Sequence, residues 1–449
     1  MQTNNNETRV NFKDIIGLEA EKKELNQLID ILQDPDKFSK YGGTLPKGVL
    51  VHGPCGTGKT LLVRSLSKEL EIPFYPITTD KIVFEDQDVA FERLKDVFEL
   101  ANKNAPSVIL IDEIDSYLDI TEDTIDNKLF NQLLTLMDGF YQSDRLIIIA
   151  TTSHVERLPK ALIRPGRFDK HIELTYPNLS TRLKALHQFT QYLHLENKIS
   201  LKRIAAALQY KTLPEIKHIV NEVILNHVSI EHQEVLESDF YDSIEKVEMG
   251  LKKEDLKMSE AMRRRIAIHE IGHALMRYQL QDTTKLLRVS LNQRSLSLGN
   301  TRSYSEIDMA HVQTKEALYQ EIKVGLSGLA SEEIMLGSYT NGAQSDIDMV
   351  TSIAYKMAAH FGMSSLGPIT FNPYNDTFYR TLSNDYTLKI DNEVSNIIHS
   401  AYDEVKDYMK DHQDLIDYLA DALVEKKFLL EEQFKQLIDR YKQPNHITT

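Results

Sequence analysis

His269-Glu270-Ile271-Gly272-His273 places two histidines four residues apart with a glutamate between them. Side chains at i and i+4 share one face of a helix, so both imidazoles can bind a single zinc ion. Glu270 would then stand beside the metal as general base for the attacking water. The flanks support a helix over 259–280, with Ser259 as its cap and Ile266, Leu275 and Met276 as apolar contacts. A helix with two incidental histidines would satisfy the same short pattern. A catalytic zinc needs a third protein ligand and one open position. Glu332, Glu333, Asp346 and Asp348 are the downstream candidates. Asp346 follows the turn-forming Asn341-Gly342 and opens a helix over 347–360, where a carboxylate would equally complement the helix N-terminus. The residues alone leave Asp346 and the Glu332/Glu333 pair equal.

A second constellation binds phosphate. Gly53-Pro54-Cys55-Gly56-Thr57-Gly58-Lys59-Thr60 fits G-x-x-x-x-G-K-[ST] between an apolar run at 49–52 and an amphipathic stretch at 61–70. Glycines let the backbone curl so that its N–H groups face the phosphates of ATP at a helix N-terminus. Lys59 would neutralise the β- and γ-phosphates and Thr60 would ligate magnesium. The apolar run 108–111 ends in Asp112 and Glu113, suited to holding that magnesium and polarising a water. Ser153, just past the run 146–150, could reach the γ-phosphate or that water. Arg164-Pro165-Gly166-Arg167 carries two arginines that the chain's own phosphate loop does not need. They read either as a solvated basic turn or as fingers donated to a neighbour's nucleotide, which requires a ring.

These residues must be positioned by more than one core, because 449 residues suggest two or three domains. Residues 1–10 read as a disordered lead. Over 11–177, the runs 49–52, 74–77, 108–111 and 146–150 alternate with helical stretches such as 61–70 and 90–102, which argues a parallel sheet between helices. The pattern turns helical over 178–250, and Gly250 with the charged run 252–257 reads as a hinge. Helices dominate again over 251–445, interrupted at 285–304 and by a loop-like stretch at 372–385. A net charge of −15 argues against a general nucleic-acid binder. Cys55 is the only cysteine, which excludes an intrachain disulfide and fits a reducing compartment. Without an apolar run of ~18 residues or a signal-peptide core, the chain as given reads as cytoplasmic.

Together the motifs resemble the FtsH-type AAA+ zinc proteases, from about Asn11 nearly to the C-terminus. The likeness includes Lys47-Gly48-Val49-Leu50, the phosphate loop, Ile111-Asp112-Glu113-Ile114-Asp115, Asn131-Gln132-Leu133-Leu134 and Met137-Asp138-Gly139-Phe140. It continues through Arg164-Pro165-Gly166-Arg167-Phe168-Asp169 and the His-Glu-Ile-Gly-His helix to Asn341-Gly342-Ala343-Gln344-Ser345-Asp346. The resemblance implies an α/β AAA+ P-loop NTPase domain with a small helical lid, followed by a mainly α-helical zinc metallopeptidase domain. It implies a homohexameric ring using ATP, Mg2+ and Zn2+ to pull proteins into a protease chamber. It makes Asp346 the third zinc ligand, Arg164 and Arg167 the fingers, Ile16-Gly17 part of the adenine contact, and Glu332 and Glu333 outer-sphere groups at most. The family is membrane-anchored, so association with a membrane-bound relative is a further implication.

The chain departs from the family at Asp86-Gln87-Asp88, where an aromatic–aliphatic–glycine grip belongs, with Phe84 two residues earlier. It also has Ser153 for a sensor asparagine, Thr212-Leu213-Pro214 for Ser-Gly-Ala, and a shortened insert at 116–126. An acidic loop grips an extended chain poorly. Two alternatives therefore stand beside an ATP-driven protease: a zinc peptidase whose ATPase half only assembles or gates the ring, and a non-proteolytic adaptor subunit.

Overall fold

The computed structural model describes residues 11–34, 40–42, 46–69, 72–77, 87–118, 128–140, 145–228, 234–252, 258–280, 284–291, 299–305, 312–370 and 383–443. The expected lead at 1–10, Phe84 and Asp86, most of the insert at 116–126, the charged run after 252 and most of 372–385 lie outside them. The chain divides into two compact units: through Gln191 with Tyr210–His218, and Tyr192–Gln209 with everything from Ile219 onward. Among the described residues, no helix is long and apolar enough to cross a membrane.

The first unit holds α1 (Glu19–Gln33), β1 (Gly48–His52), α2 (Lys59–Glu69), β2 (Phe74–Ile77), α3 (Gln87–Lys103), β3 (Ser107–Ile111), α4 (Lys128–Thr135), β4 (Leu146–Thr152), β5 (Phe168–Glu173) and α5 (Leu179–Phe189). The five strands run in the order β2-β3-β4-β1-β5, every pair parallel. Alternate side chains serve opposite faces. Leu50, Ile109, Ile111 and Ile148 pack with Leu94 and Phe98 of α3, while Val49, Val51, Val108 and Leu110 pack with Leu25 and Leu28 of α1 and Leu62 and Leu66 of α2. Burial on both faces is why these strands read as unbroken apolar runs. Strand β5 had no such signature. Only Phe168 and Ile172 of it are buried at the sheet edge, with Asp169, Lys170 and His171 between them. The order sets the C-terminal ends of β3, β4 and β1 side by side, where ligands of open α/β sheets bind.

Helix α6 (Leu201–Ala207), α7 (Leu213–Val228), which crosses the division, and α8 (Glu237–Met249) follow. The second unit continues with α9 (Glu260–Leu280), β6 (Thr284–Ser290), β7 (Asn300–Ser305), α10 (Lys315–Leu336), α11 (Gln344–Tyr355), α12 (Asn384–Asp411), α13 (Gln413–Lys426), β8 (Phe428–Leu430) and α14 (Glu431–Lys442). The interruption at 285–304 is therefore an antiparallel pair, part of a sheet ordered β7-β6-β8. Helix α9 is central: Ala267, Ile268, Ile271, Ala274 and Leu275 pack in one core with Val324 of α10, Leu419 of α13, Val289 of β6 and Phe434 of α14. A Cβ on Gly272 would fall 2.5 Å from the Ser327 carbonyl oxygen, so α9 and α10 meet almost backbone to backbone. Helix α8 is tied to the sheet by ion pairs: the buried Arg288 of β6 donates to Asp242 at 2.8 Å, and Arg302 of β7 pairs with Glu248.

Candidate zinc centre and nucleotide site

Helix α9 sets His269 and His273 one turn apart, their Nε2 atoms 3.0 Å from each other. The first turn of α11 brings Asp346 Oδ2 to 3.3 Å from His269 Nε2 and 3.6 Å from His273 Nε2. Donors on a tetrahedral zinc with bonds of about 2.0–2.1 Å are separated by roughly 3.3 Å, so this triad fits the ion. The outer nitrogens are engaged by groups that only accept: His269 Nδ1 donates to Glu332 Oε1 at 2.8 Å and His273 Nδ1 to the Val324 carbonyl at 2.7 Å. Each Nδ1 therefore carries the hydrogen, and both Nε2 lone pairs point inward. Arg265 donates to the other oxygen of Glu332 at 3.0 Å.

Electrostatics favour a cation here. Burial opposes an imidazolium at His269, yet the carboxylates of Asp346 and Glu332 outweigh it and push its pKa up to about 10. Burial would raise Asp346, but the two imidazoles hold it well below the usual carboxylate range. Glu270 is buried beside the triad, and that burial pushes its carboxyl up, with the imidazoles and a 2.6 Å bond from Thr301 Oγ1 opposing. A Cβ on Gly328 of α10 would lie 2.5 Å from His273 Nε2 and 2.6 Å from His269 Nε2, so a bare stretch of helix underlies both donors.

Among the other acids weighed as ligands, Glu332 meets only the outer nitrogen, Glu333 pairs with Lys406 at 2.8 Å and with Tyr402, and Asp348 is exposed. Glu332→Gln keeps the shape but removes the charge shared by His269 and Arg265, and is expected to weaken zinc binding about 10–100-fold. Chelator competition reads this directly; an unchanged affinity would leave Glu332 no part in orienting His269.

In the first unit the phosphate loop curls with Gly56 at φ 79° and Gly58 at φ 100°. Lys59 Nζ donates to the carbonyls of Gly53 (2.8 Å) and Pro54 (2.9 Å) and to Ser153 Oγ (3.0 Å). Burial lowers the Lys59 pKa, with Cys55, Asp115, Glu113 and Asp112 pulling the other way. Asp112 Oδ1 accepts from Thr60 Oγ1 at 2.8 Å and from Thr151 Oγ1 at 2.7 Å, and Thr151 Oγ1 accepts from the Glu113 amide at 2.9 Å. Thr60 and Asp112 are thus adjacent, as one magnesium ion requires. Thr57 Oγ1 donates to the Pro54 carbonyl at 2.8 Å, and Cys55 is exposed.

Gly17, beside Ile16, packs against Thr181 at the start of α5, and Thr212 lies against Gly56. Arg164 is exposed. Arg167 is held within the chain by both carboxylate oxygens of Asp138 and by the Ala161 carbonyl. Gly328, Thr301 and Thr151 are the site residues that sequence reasoning missed. Only Thr151 had a usable signal, since β4 extends two residues beyond the expected 146–150.

Known proteins with similar sequences agree with both halves. "Peptidase family M41" matches residues 256–437, and "ATPase family associated with various cellular activities (AAA)" matches residues 49–176. The ATP-dependent zinc metalloprotease FtsH of Thermobaculum terrenum is 34% identical over 447 residues, covering 96% of this chain and 69% of that protein. The FtsH proteins of Chlorobium luteolum (33% identity, 63% of its length) and Aquifex aeolicus (34%, 71%) each cover 96% of this chain.

Proposed function

This chain belongs to the FtsH-type ATP-dependent zinc metalloproteases, and on that premise we propose that it degrades unfolded or tagged proteins as a homohexameric ring, alone or with a membrane-anchored relative. We assign nucleotide binding to residues 11–177, the helical lid to 178–250 and the peptidase to 251–445. His269, His273 and Asp346 hold the zinc, which when bound supplies a Lewis acid and acidifies a water. Glu270 takes the proton of the attacking water and returns it to the leaving amine. Lys59 and the loop amides bind the phosphates of ATP, Thr60 and Asp112 take the magnesium, and Glu113 orients the hydrolytic water. Ser153 reaches the γ-phosphate beside Lys59, and Ile16-Gly17 contact the adenine. Arg164, exposed, is the finger offered to the neighbouring subunit, and Arg167 joins it once released from Asp138.

The observation that carries the reading is the convergence of three inward-facing donors within 3.6 Å of one another, with a buried glutamate alongside. The test is cleavage of an unfolded fluorescent protein by the zinc-loaded chain, with and without ATP. Lys59→Ala is expected to lower ATP turnover about 10²–10³-fold and to abolish the ATP-dependent part of cleavage. The acidic Asp86-Gln87-Asp88 favours the second reading, a peptidase whose ATPase half only assembles or gates the ring. Equal cleavage with and without ATP, indifferent to Lys59→Ala, would establish it instead.

A further inference from the structure

We infer that strand β7 and the glycine just before it aim the general base: Thr301 holds one oxygen of Glu270, and the bare backbone at Gly299 keeps room at the other. Both are positioning residues, and the inference rests on the zinc-endopeptidase reading above.

The two carboxylate oxygens meet different surroundings. Thr301 Oγ1 lies 2.6 Å from Glu270 Oε2 and 3.1 Å from the Glu270 carbonyl oxygen. A hydroxyl has one hydrogen, and the nearer, charged acceptor takes it. At the other oxygen, a Cβ on Gly299 would lie 2.6 Å from Oε1 and 2.8 Å from both Glu270 Cγ and Ile266 Cγ2. Any side chain at 299 must therefore turn the carboxylate or push the strand away. Oε2 already accepts one hydrogen bond that fixes its direction, which leaves Oε1, on the side that Gly299 keeps clear, with the greater capacity for proton exchange with water.

The strand is well placed to act as a fixed reference. Asn300 and Thr301 pair with Ser290 and Val289 of β6, and the next residue, Arg302, is tied to Glu248 of α8. A glutamate has three rotatable bonds, and an unanchored base samples orientations in which it does not meet the proton at about 3 Å.

The test uses the full zinc-loaded chain, a fluorogenic unstructured peptide as substrate, and a peptide hydroxamate whose affinity reads the placement of Glu270 without turnover. A general base contributes about 10²–10⁴-fold, and loss of its anchor should forfeit part of that. Thr301→Val is expected to lower kcat about tenfold, leave KM within about twofold and zinc at one per chain, and weaken the hydroxamate by about the factor lost in kcat. Thr301→Ser, which restores the donor, should return kcat to within about threefold of wild type, and Gly299→Ala should lose at least as much as Thr301→Val. Wild-type kcat and hydroxamate affinity in Thr301→Val would overturn the inference. So would losses shared by Thr301→Ser and accompanied by lost zinc or a lower melting temperature, which would make Thr301 a packing residue only. If the wild-type chain binds zinc but cuts no peptide, the protease reading fails, and hydroxamate affinity alone decides the role of Thr301.

Discussion

A Glu270→Gln chain is expected to keep its zinc and to lose about 10²–10⁴-fold in kcat for peptide cleavage. Glutamine matches glutamate in shape, and its amide oxygen can still accept from Thr301, so the side chain keeps its place. The inward-facing atoms of His269, His273 and Asp346, which we propose as the zinc donors, are untouched. What disappears is the capacity to hold a proton. Burial raises the pKa of the Glu270 carboxyl above the ordinary carboxylate value, which moves its basicity toward the range where a proton can be both taken and released near neutral pH. An amide has no such basicity. Zinc content, kcat and KM measured together decide the matter: a low kcat with wild-type KM and one zinc per chain is a loss confined to the transition state. Cleavage within a few-fold of wild type would assign the proton transfer to another group.

What could be read in the sequence was whatever is local along the chain. The phosphate loop occupies eight consecutive residues behind a strand buried on both faces, so pattern and context coincide there. Asp112 and Glu113 follow a second such strand, and His269, Glu270 and His273 lie within one and a half turns of a single helix. Strand β5 escaped because only Phe168 and Ile172 of it are buried, with Asp169, Lys170 and His171 between them. Strand β6 escaped because Lys285 and Arg288 interrupt its apolar pattern, and β7 because only Tyr304 of Asn300–Ser305 is buried; Arg288 is nonetheless buried, donating to Asp242 of α8. Gly328 and Thr301 contribute space and one hydrogen bond from 55 and 31 residues beyond the groups they serve, counting from His273 and Glu270, and no short-range pattern marks such roles. Arg167 shows the same limit from the other side, since its clasp by Asp138, 29 residues earlier, follows from the fold and not from its own motif.

Gly328→Ala is the substitution expected to separate zinc binding from folding. Gly328 lies inside α10 and is absent from the positive-φ positions, so alanine suits its backbone. Taken alone, replacing a helix-interior glycine by alanine is worth roughly 0.5–1 kcal/mol of stability. The new methyl, however, would stand 2.5 Å from His273 Nε2, 2.6 Å from His269 Nε2 and 2.7 Å from His269 Cε1. Both imidazoles must turn away together, and each is also tethered at Nδ1, to Val324 and to Glu332, so neither can simply translate. Losing an outer-sphere partner costs about 10–100-fold in metal affinity, and displacing two donors at once should exceed the upper end of that range. The zinc-free variant should therefore melt close to zinc-free wild type, while chelator competition shows its zinc affinity reduced by more than about 10²-fold. If Gly328→Ala bound zinc as tightly as wild type, the donors could not sit over α10 as described, and the assignment of the triad would have to be abandoned. If it lost affinity and stability together in the zinc-free state, Gly328 would instead be needed for the packing of α9 on α10, as Gly272 is.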